Sequence, residues 1–440
     1  MMSALPPGPH EPAALQTVRW LVRPIAFLEA CRRRYGDAFS VRFLGFQTPM
    51  VMVSSPDAIR ALYSERGHGL PPGRTLSLRP ITGPRSVLLL EGAEHLSRRR
   101  LMLPPFHGDR MRAYESIVRD TAEREIGSWP TDRSFAAHAS MQAVTLEVIL
   151  RAVFGVADRA RRERLRRRLR DLLGSTASAG LQFSVLLARR FGGPDPLAAV
   201  HAVVAEIDEI LLVEIADRRA DEEATAARED ICSLLVAARF EDGGRMEDRE
   251  VRDQLLTLLL AGHETTATAL AWTLDLLTRH PDALARLRDE VDAGGDAYLR
   301  AVVAEALRLR PVIPLAGRRL VSELRVDGLV LPPGTDVTPA IWLTHTRPDL
   351  YPEPYAFRPD RFLGRPPSTF AWIPFGGGVR RCLGAAFAEM EMRVVLTAIV
   401  RHRALRAATR HAERVARRNV TFSPRHGTRI LAAARPRRVG

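Results

Sequence analysis

Cys382 is the residue whose type and setting most directly suggest chemistry, because it lies in the run Phe-Gly-Gly-Gly-Val-Arg-Arg-Cys-Leu-Gly that begins at Phe375. The two other cysteines, Cys31 and Cys232, are far away in sequence. A helical pattern starts just after Cys382, and a cysteine at a helix N-terminus beside arginines is favoured as the thiolate. A thiolate can bind a metal or act as a nucleophile. A buried, inert core cysteine is the alternative.

The run around Cys382 matches the pattern Phe-x-x-Gly-x-Arg-x-Cys-x-Gly at every fixed position. Gly378 and Gly384 allow the backbone to approach a flat group closely, Arg380 offers a cation, and Phe375 offers an apolar wall. The run resembles the haem-binding loop of the cytochrome P-450 superfamily. This resemblance implies that Cys382 is the iron ligand of heme b and that Phe375, Arg380 and Gly384 contact the haem. Thiolate ligation of haem iron favours O–O cleavage.

A second motif, Ala-Gly-His-Glu-Thr-Thr from Ala261, interrupts the apolar stretch 255–277. Ala261 and Thr265 are four residues apart and therefore share one helix face. The motif resembles the distal helix of the same superfamily, which implies that Glu264 and Thr265 deliver protons and that Ala261 contacts the haem. A helix kink from a back-bonded threonine is the structural alternative. A zinc-protease site is excluded, because His-Glu-x-x-His needs a histidine where Ala267 stands.

Haem carries two propionates, so the resemblance also implies cationic partners for them. His95 and Arg99 are four residues apart and can face one ligand. By resemblance to the superfamily's third helix they bind a propionate, and Arg318 (or its neighbour Arg319) and Arg380 are the other candidates. The choice of Arg99 over the arginines on either side of it rests on spacing.

Glu305 and Arg308 place a carboxylate and a guanidinium three residues apart on one predicted helix face. Alone, such a pair is common on solvated helices. Together with Arg361, in the run Phe-Arg-Pro-Asp-Arg-Phe, it resembles the Glu-x-x-Arg helix and downstream arginine of the superfamily. The resemblance implies a structural charge triad of Glu305, Arg308 and Arg361, which supports the haem side of the core and does no chemistry.

The resemblance implies a monooxygenase that inserts one oxygen atom of dioxygen, its co-substrate, into a hydrophobic small molecule such as a terpenoid or fatty acid. The predicted pocket residues are mostly aliphatic: Leu260, Ala261, Val312, Ile313, Leu315 and Phe422, with Leu181, Gln182 and Phe183 closing the cavity. No Gly-rich nucleotide fingerprint or room for a flavin domain is present. We therefore expect electrons from a ferredoxin or flavodoxin with its NAD(P)H reductase. A peroxide-driven enzyme, a haem sensor and a nucleic-acid binder are the rival functions.

These residues must be positioned by elements that the hydrophobic pattern also predicts. Alternation over residues 39–43 and 50–53 predicts a hairpin, and residues 109–280 are mostly helical in period. Turn signals at residues 327–328 and 332–334 indicate strands nearby, and residues 419–433 predict a final hairpin. The fold class we expect is mainly α with small β-sheets, the cytochrome P-450 fold, as a single domain over residues 1–440 with no fused reductase.

Composition excludes several function classes. The formal charge is +14, and all 65 basic residues are arginine. Arginine-rich residues 159–170 are interleaved with acids and leucines, which is typical of a solvated helix face and not of a nucleic-acid site. The polar, proline-rich start predicts neither a signal peptide nor an anchor. Widely spaced cysteines argue against disulfides and zinc sites and fit a cytoplasmic setting. We also expect a monomer, and the basic surface is expected to attract an acidic protein partner.

Overall fold

The computed structural model describes residues 5–46, 48–65, 69–70, 74–176, 195–365, 368–418 and 420–435. The α-helices within these residues are Ala13–Val22 (α1), Pro24–Tyr35 (α2), Pro56–Ser64 (α3), Arg74–Thr82 (α4), Gly92–Met102 (α5), Arg110–Gly127 (α6), Ala137–Val148 (α7), Arg159–Thr176 (α8), Ala198–Ala220 (α9), Glu222–Ala226 (α10), Ile231–Ala237 (α11), Asp248–Arg279 (α12), Pro281–Asp292 (α13), Ala297–Leu309 (α14), Ile341–His345 (α15) and Ala385–His402 (α16). Short 3-10 or π turns are Pro104–Phe106, Ile149–Phe154, Pro359–Phe362 and Gly378–Arg380.

The strands are short and few beside the helices. They are Ala38–Val41 (β1), Met50–Val53 (β2), Phe135–Ala136 (β3), Arg318–Arg319 (β4), Leu324–Val326 (β5), Leu329–Leu331 (β6), Asp336–Pro339 (β7), Arg403–Ala407 (β8), Val415–Arg418 (β9), Thr421–Pro424 (β10) and Arg429–Ala434 (β11). The predicted class, mainly α with small β-sheets, is confirmed.

The chain folds into two compact units. The first comprises Met1–Arg74, Ala122–Met141 and Thr265–Gly440, and it contains all of the strands named above. The second comprises Thr75–Thr121 and Gln142–Glu264 and is helical in the residues described.

A four-stranded sheet of order β1-β2-β7-β4 organises the first unit. Strands β1 and β2 are antiparallel with Ala38 opposite Val53, so the predicted hairpin is confirmed. All four residues of β2 are buried, because the strand lies between two hydrophobic clusters. Met52 packs in one cluster with Phe39, and Val51 packs in the other with Ile373, as the alternation of a strand requires. The sheet thereby supports the segment that leads into Cys382.

The turn predicted at residues 327–328 is confirmed. Strands β5 and β6 pair antiparallel with Val326 opposite Leu329, and the two residues between them are Asp327 and Gly328. Both have positive φ, 49° and 75°, as a two-residue hairpin turn demands. Aspartate tolerates this region better than most residues, and glycine adopts it freely.

The predicted C-terminal hairpin is wrong, although its strands exist. Strand β10 pairs with β9, whereas β11 pairs with β8 and β3. Pro424 ends β10 without an N–H to donate, and Thr428 has a φ of 57°, which redirects the chain. The backbone N–H groups of His426 and Thr428 donate to the Glu413 carboxylate, each at 3.0 Å, and not to a neighbouring strand.

The predicted buried helix through residues 255–277 is confirmed as α12, which has 32 residues. Asp248 and Glu250 lie in its first turn and Arg279 in its last, so the charges complement the helix dipole. Within the part of the chain that the structure describes, no helix combines the length and apolar content needed to cross a membrane.

Candidate functional site

The backbone of the cysteine loop folds back on itself. The N–H of Cys382 donates to the carbonyl of Phe375 at 2.9 Å, and the N–H of Gly376 donates to that of Ile373 at 3.0 Å. Helix α16 begins at Ala385, directly after the loop. Cys382 is exposed, whereas the two other cysteines are buried. The structure therefore presents Cys382 at a helix N-terminus, where its thiolate is favoured.

Three successive positions in this loop require glycine. Gly376 and Gly378 have φ of 66° and 64°, in the region that disfavours side chains. A Cβ on Gly378 would lie 2.5 Å from the carbonyl oxygen of Tyr63, and one on Gly377 would lie 2.3 Å from the Tyr63 ring. The loop is thus packed closely against the end of α3.

Arg318 is a buried cation beside the loop with no acidic partner among the described residues. Its guanidinium lies 5.3 Å from the centroid of the Tyr63 ring and donates to the carbonyls of Gly317, at 2.9 Å, and Gly377, at 3.4 Å. Burial lowers the pKa of Arg318. A buried cation satisfied only by carbonyls and a ring retains a need for an anion. The residues present therefore fit a haem propionate, together with a thiolate at Cys382 for the iron.

The structure distinguishes Arg318 from its neighbour. Arg319 donates through two nitrogens to the two carboxylate oxygens of Asp336, at 2.8 and 2.9 Å. This ion pair already satisfies Arg319, so of the two predicted alternatives Arg318 is the better candidate for a propionate.

The neighbours of Arg99 are likewise engaged by acids in the second unit. Arg98 donates to Glu250 at 2.7 Å, and Arg100 donates to Glu241 at 2.6 Å. His95 is buried. The two arginines that flank Arg99 therefore have acidic partners of their own, and the roles of His95 and Arg99 stay predictions.

Gln142 on α7, which the sequence analysis missed, contacts two residues of the distal motif. Its side-chain amide donates to Oε2 of Glu264 at 2.7 Å. Its backbone carbonyl oxygen lies 3.1 Å from Nε2 of His263. Because a carbonyl only accepts, Nε2 carries the proton, and Nδ1 is a buried acceptor with no partner among the described residues. Burial lowers the pKa of His263 to about 4, so the ring is neutral near pH 7. Nothing in the sequence around Gln142 indicates this role.

Ala261 and Thr265 of the distal motif lie along one face of α12. Ala261 is exposed and Thr265 is half-buried, four residues further on. Gly262 leaves room beside Ile149, whose Cδ1 would be 3.7 Å from an added Cβ. The haem contact of Ala261 and the proton delivery by Thr265 and Glu264 stay predictions.

The structure brings Glu305, Arg308 and Arg361 together. Arg308 donates to both oxygens of Glu305, at 2.7 and 2.8 Å, and Nε of Arg361 donates to Oε1 at 3.2 Å. The N–H of Arg358 adds a fourth bond at 2.8 Å. Glu305 and Arg308 have no exposed surface, so each charge is satisfied entirely within the protein.

The predicted pocket residues have different surroundings. The N–H of Phe422 donates to the carbonyl of Val312 at 2.7 Å, so these two are adjacent. The Phe422 ring lies 5.8 Å from that of Trp20 in a core cluster, against which Leu315 also packs. A pocket role for Val312, Leu315 and Phe422 stays a prediction, as it does for Ile313, Leu260 and Ala261. Residues 181–183 lie outside the described residues.

Comparison with known proteins gives consistent results. The profile of the family described as Cytochrome P450 matches residues 6–413. "Putative cytochrome P450 135B1" of Mycobacterium tuberculosis is 43% identical over 439 residues, which cover 98% of this chain and 92% of that protein. "Putative cytochrome P450 138" of the same species is 38% identical and covers 98% of this chain and 97% of that protein.

Solved structures show the same fold. A retinoic-acid-bound cyanobacterial CYP120A1 has a TM-score of 0.83, covering 98% of this chain and 100% of that one. The heme domain of cytochrome P450DA has a TM-score of 0.84, covering 99% of each chain. Both are 24% identical to this chain, which shows the fold alone.

We expect Arg308→Ala to lower the free energy of unfolding by about 3 to 5 kcal/mol, because it leaves the Glu305 carboxylate buried without its main partner. Arg300→Ala, on the same helix, removes an exposed pair with Asp296 and should cost about 0.5 kcal/mol or less. Urea unfolding followed by circular dichroism measures both. Equal losses in the two variants would contradict a structural role for the triad.

The neutral His263 makes stability depend on pH. Since the pKa of His263 is about 4 in the folded protein and its ordinary value is 6.5, the unfolded chain binds a proton that the folded protein refuses. Stability is therefore lost as the pH falls below 6.5. We expect the drop in unfolding free energy from pH 7 to pH 5 to be smaller by about 2 kcal/mol in His263→Asn. Identical drops in the two proteins, by urea unfolding, would refute this.

Proposed function

The chain belongs to the cytochrome P450 family and is a haem-thiolate monooxygenase, and from this premise we propose that Cys382 would hold the haem iron through its thiolate. The observation that carries the proposal is the cysteine loop, in which an exposed Cys382 lies three residues before the start of α16 at Ala385. The helix dipole and Arg381 beside it favour the thiolate. Haem, when bound, supplies the dioxygen and one-electron chemistry.

We propose that four cationic or donor side chains hold the haem propionates. Arg318 is supported by its burial without an acid among the described residues, and Arg380 by its place in the loop. His95 and Arg99 are supported by their spacing of four residues, which places both on one face of α5. Phe375 and Gly384 would line the haem beside the sulfur.

We propose that Glu264 and Thr265 move protons into the active site. The Gln142 amide donates to Oε2 of Glu264 and thereby orients the carboxyl group. A neutral amide binds a carboxylate less strongly than a guanidinium does, so this bond can be exchanged for one to a proton donor. Thr265, on the next position of α12, offers a hydroxyl that both donates and accepts.

The substrate we propose is a hydrophobic small molecule, such as a terpenoid or fatty acid. Support comes from the aliphatic character of the predicted pocket residues Leu260, Val312, Ile313 and Leu315. Retinoic acid, to which the cyanobacterial neighbour is bound, is a molecule of this kind, although the likeness to that structure extends only to the fold. We also propose that the chain is a single monooxygenase domain and receives electrons from a ferredoxin or flavodoxin and its reductase. We propose that it acts as a monomer in the cytoplasm.

We expect the reduced protein to show a strongly red-shifted Soret band with carbon monoxide, because the Cys382 thiolate would hold the haem iron. Cys382→Ser should lose this band. Cys31→Ala, which alters a buried cysteine, should keep it. A colourless protein, or a histidine-type spectrum, would overturn the proposal.

The same preparation tests the substrate class. A panel of terpenoids and fatty acids that leaves the haem spin state unchanged would count against the proposed substrate class.

We expect Gln142→Ala to raise the fraction of consumed dioxygen that is released as hydrogen peroxide by severalfold, because Glu264 loses the donor that orients it. A double-mutant cycle identifies the route. If Gln142 acts through Glu264, Gln142→Ala should have no further effect in a Glu264→Ala background. Additive effects of the two substitutions would show that Gln142 acts independently of Glu264.

A further inference from the structure

His345, at the end of α15, is a buried histidine whose two ring nitrogens both face backbone groups. Nε2 lies 2.9 Å from the N–H of Ile373, and Nδ1 lies 3.1 Å from the carbonyl oxygen of Arg308. An amide N–H only donates, so Nε2 must be the acceptor. Nδ1 therefore carries the ring proton and donates it to Arg308. The two hydrogen-bond partners therefore determine which tautomer of the ring is present.

One side of this ring is attached to the charge triad. Besides accepting from the His345 ring through its carbonyl, Arg308 donates through its guanidinium to the carbonyl of His345, at 2.7 Å. The two residues are thus linked in both directions. Arg308 is in turn held by Glu305. His345 consequently has a rigid support on the side of α14.

The other side of the ring is attached to the start of the cysteine loop. Ile373, whose N–H the ring accepts, also accepts the N–H of Gly376 at 3.0 Å, and Phe375 accepts that of Cys382 at 2.9 Å. Two further bonds hold the same segment, from the Trp372 indole to Ala304 at 3.0 Å and from the Tyr351 hydroxyl to Ala371 at 3.0 Å. The segment before Cys382 is therefore tied to the triad by hydrogen bonds.

The surroundings keep the ring in its neutral form. His345 has no exposed surface, and burial together with the Arg308 charge lowers its pKa to about 3. A protonated ring would carry a hydrogen on Nε2 and could not accept from Ile373. The link between α14 and the loop is thus maintained throughout the ordinary pH range.

We propose that His345 is a positioning residue for Cys382, which transmits the fixed geometry of the charge triad to the cysteine loop and so maintains thiolate ligation. This inference rests on the proposed role of Cys382. It assigns separate tasks to the two ring nitrogens: Nδ1 anchors the ring to Arg308, and Nε2 holds the loop at Ile373.

Three substitutions separate these tasks. His345→Phe removes both bonds, and His345→Asn places its amide near Nδ1 and loses the acceptor for Ile373. His345→Gln reaches the Nε2 position with an amide oxygen and can still accept. We measure how fast the reduced carbon monoxide complex of the holoenzyme loses its thiolate-type band, at a temperature where circular dichroism is unchanged. The Phe and Asn variants should lose it about tenfold faster than wild type. The Gln variant should lose it at close to the wild-type rate, because the Arg308 guanidinium still donates to the backbone carbonyl of residue 345.

His280→Asn is the matched control. The Nδ1 of His280 lies 2.7 Å from the carbonyl of Leu276, outside the cysteine loop, and this variant should keep the wild-type rate. The inference fails if the Phe and Asn variants keep the wild-type rate, if the Gln variant is as fast as Phe, or if loss of the band follows loss of helicity. A wild-type protein without the band would instead overturn the proposed role of Cys382, and this inference with it.

Discussion

The Glu305 carboxylate has no exposed surface, and it is surrounded by two guanidinium groups and a backbone N–H. A charge in this position is tolerated only when every oxygen is satisfied, and its partners Arg358 and Arg361 lie more than fifty residues further along the chain. The segment that carries them therefore packs against α14 in the first unit. Arg308 is in turn bonded to His345, and His345 to Ile373. The start of the cysteine loop is thus connected to the buried carboxylate by a continuous series of hydrogen bonds.

A second carboxylate, Glu264, is held in a different way. It accepts from the neutral amide of Gln142, at 2.7 Å, and it lies in a half-buried position. A bond between an amide and a carboxylate is weaker than a bidentate bond to a guanidinium, and a half-buried acid retains access to other donors. Glu305 is held by two guanidinium groups and a backbone N–H, whereas the bond from Gln142 to Glu264 comes from a neutral amide. The proton movement proposed for Glu264 relies on exchange of this weaker bond.

The sequence was informative where a residue type is required by geometry. Asp327 and Gly328 predicted a turn because positive φ restricts the choice of residue, and a long buried helix through residues 255–277 followed from the apolar run there. The final hairpin was mispredicted, because alternation reports the faces of a strand and not its partner. Gln142 and His345 were missed, since a single polar residue gives no periodic signal and its role depends on contacts distant in sequence. Motif spacing identified the candidate site, and folding supplied its supports.

The adjacent pair Arg318 and Arg319 shows how strand parity sorts identical side chains. In the pairing of β4 with β7, Arg319 lies opposite Asp336 and Arg318 lies opposite Val337. Successive residues of a strand face opposite sides, so Arg319 pairs with an acid, whereas Arg318 enters the interior and meets no acid among the described residues. A shift of one residue in this short strand would exchange the two environments. The register of a two-residue strand thus determines which of two equal charges is neutralised and which is kept available.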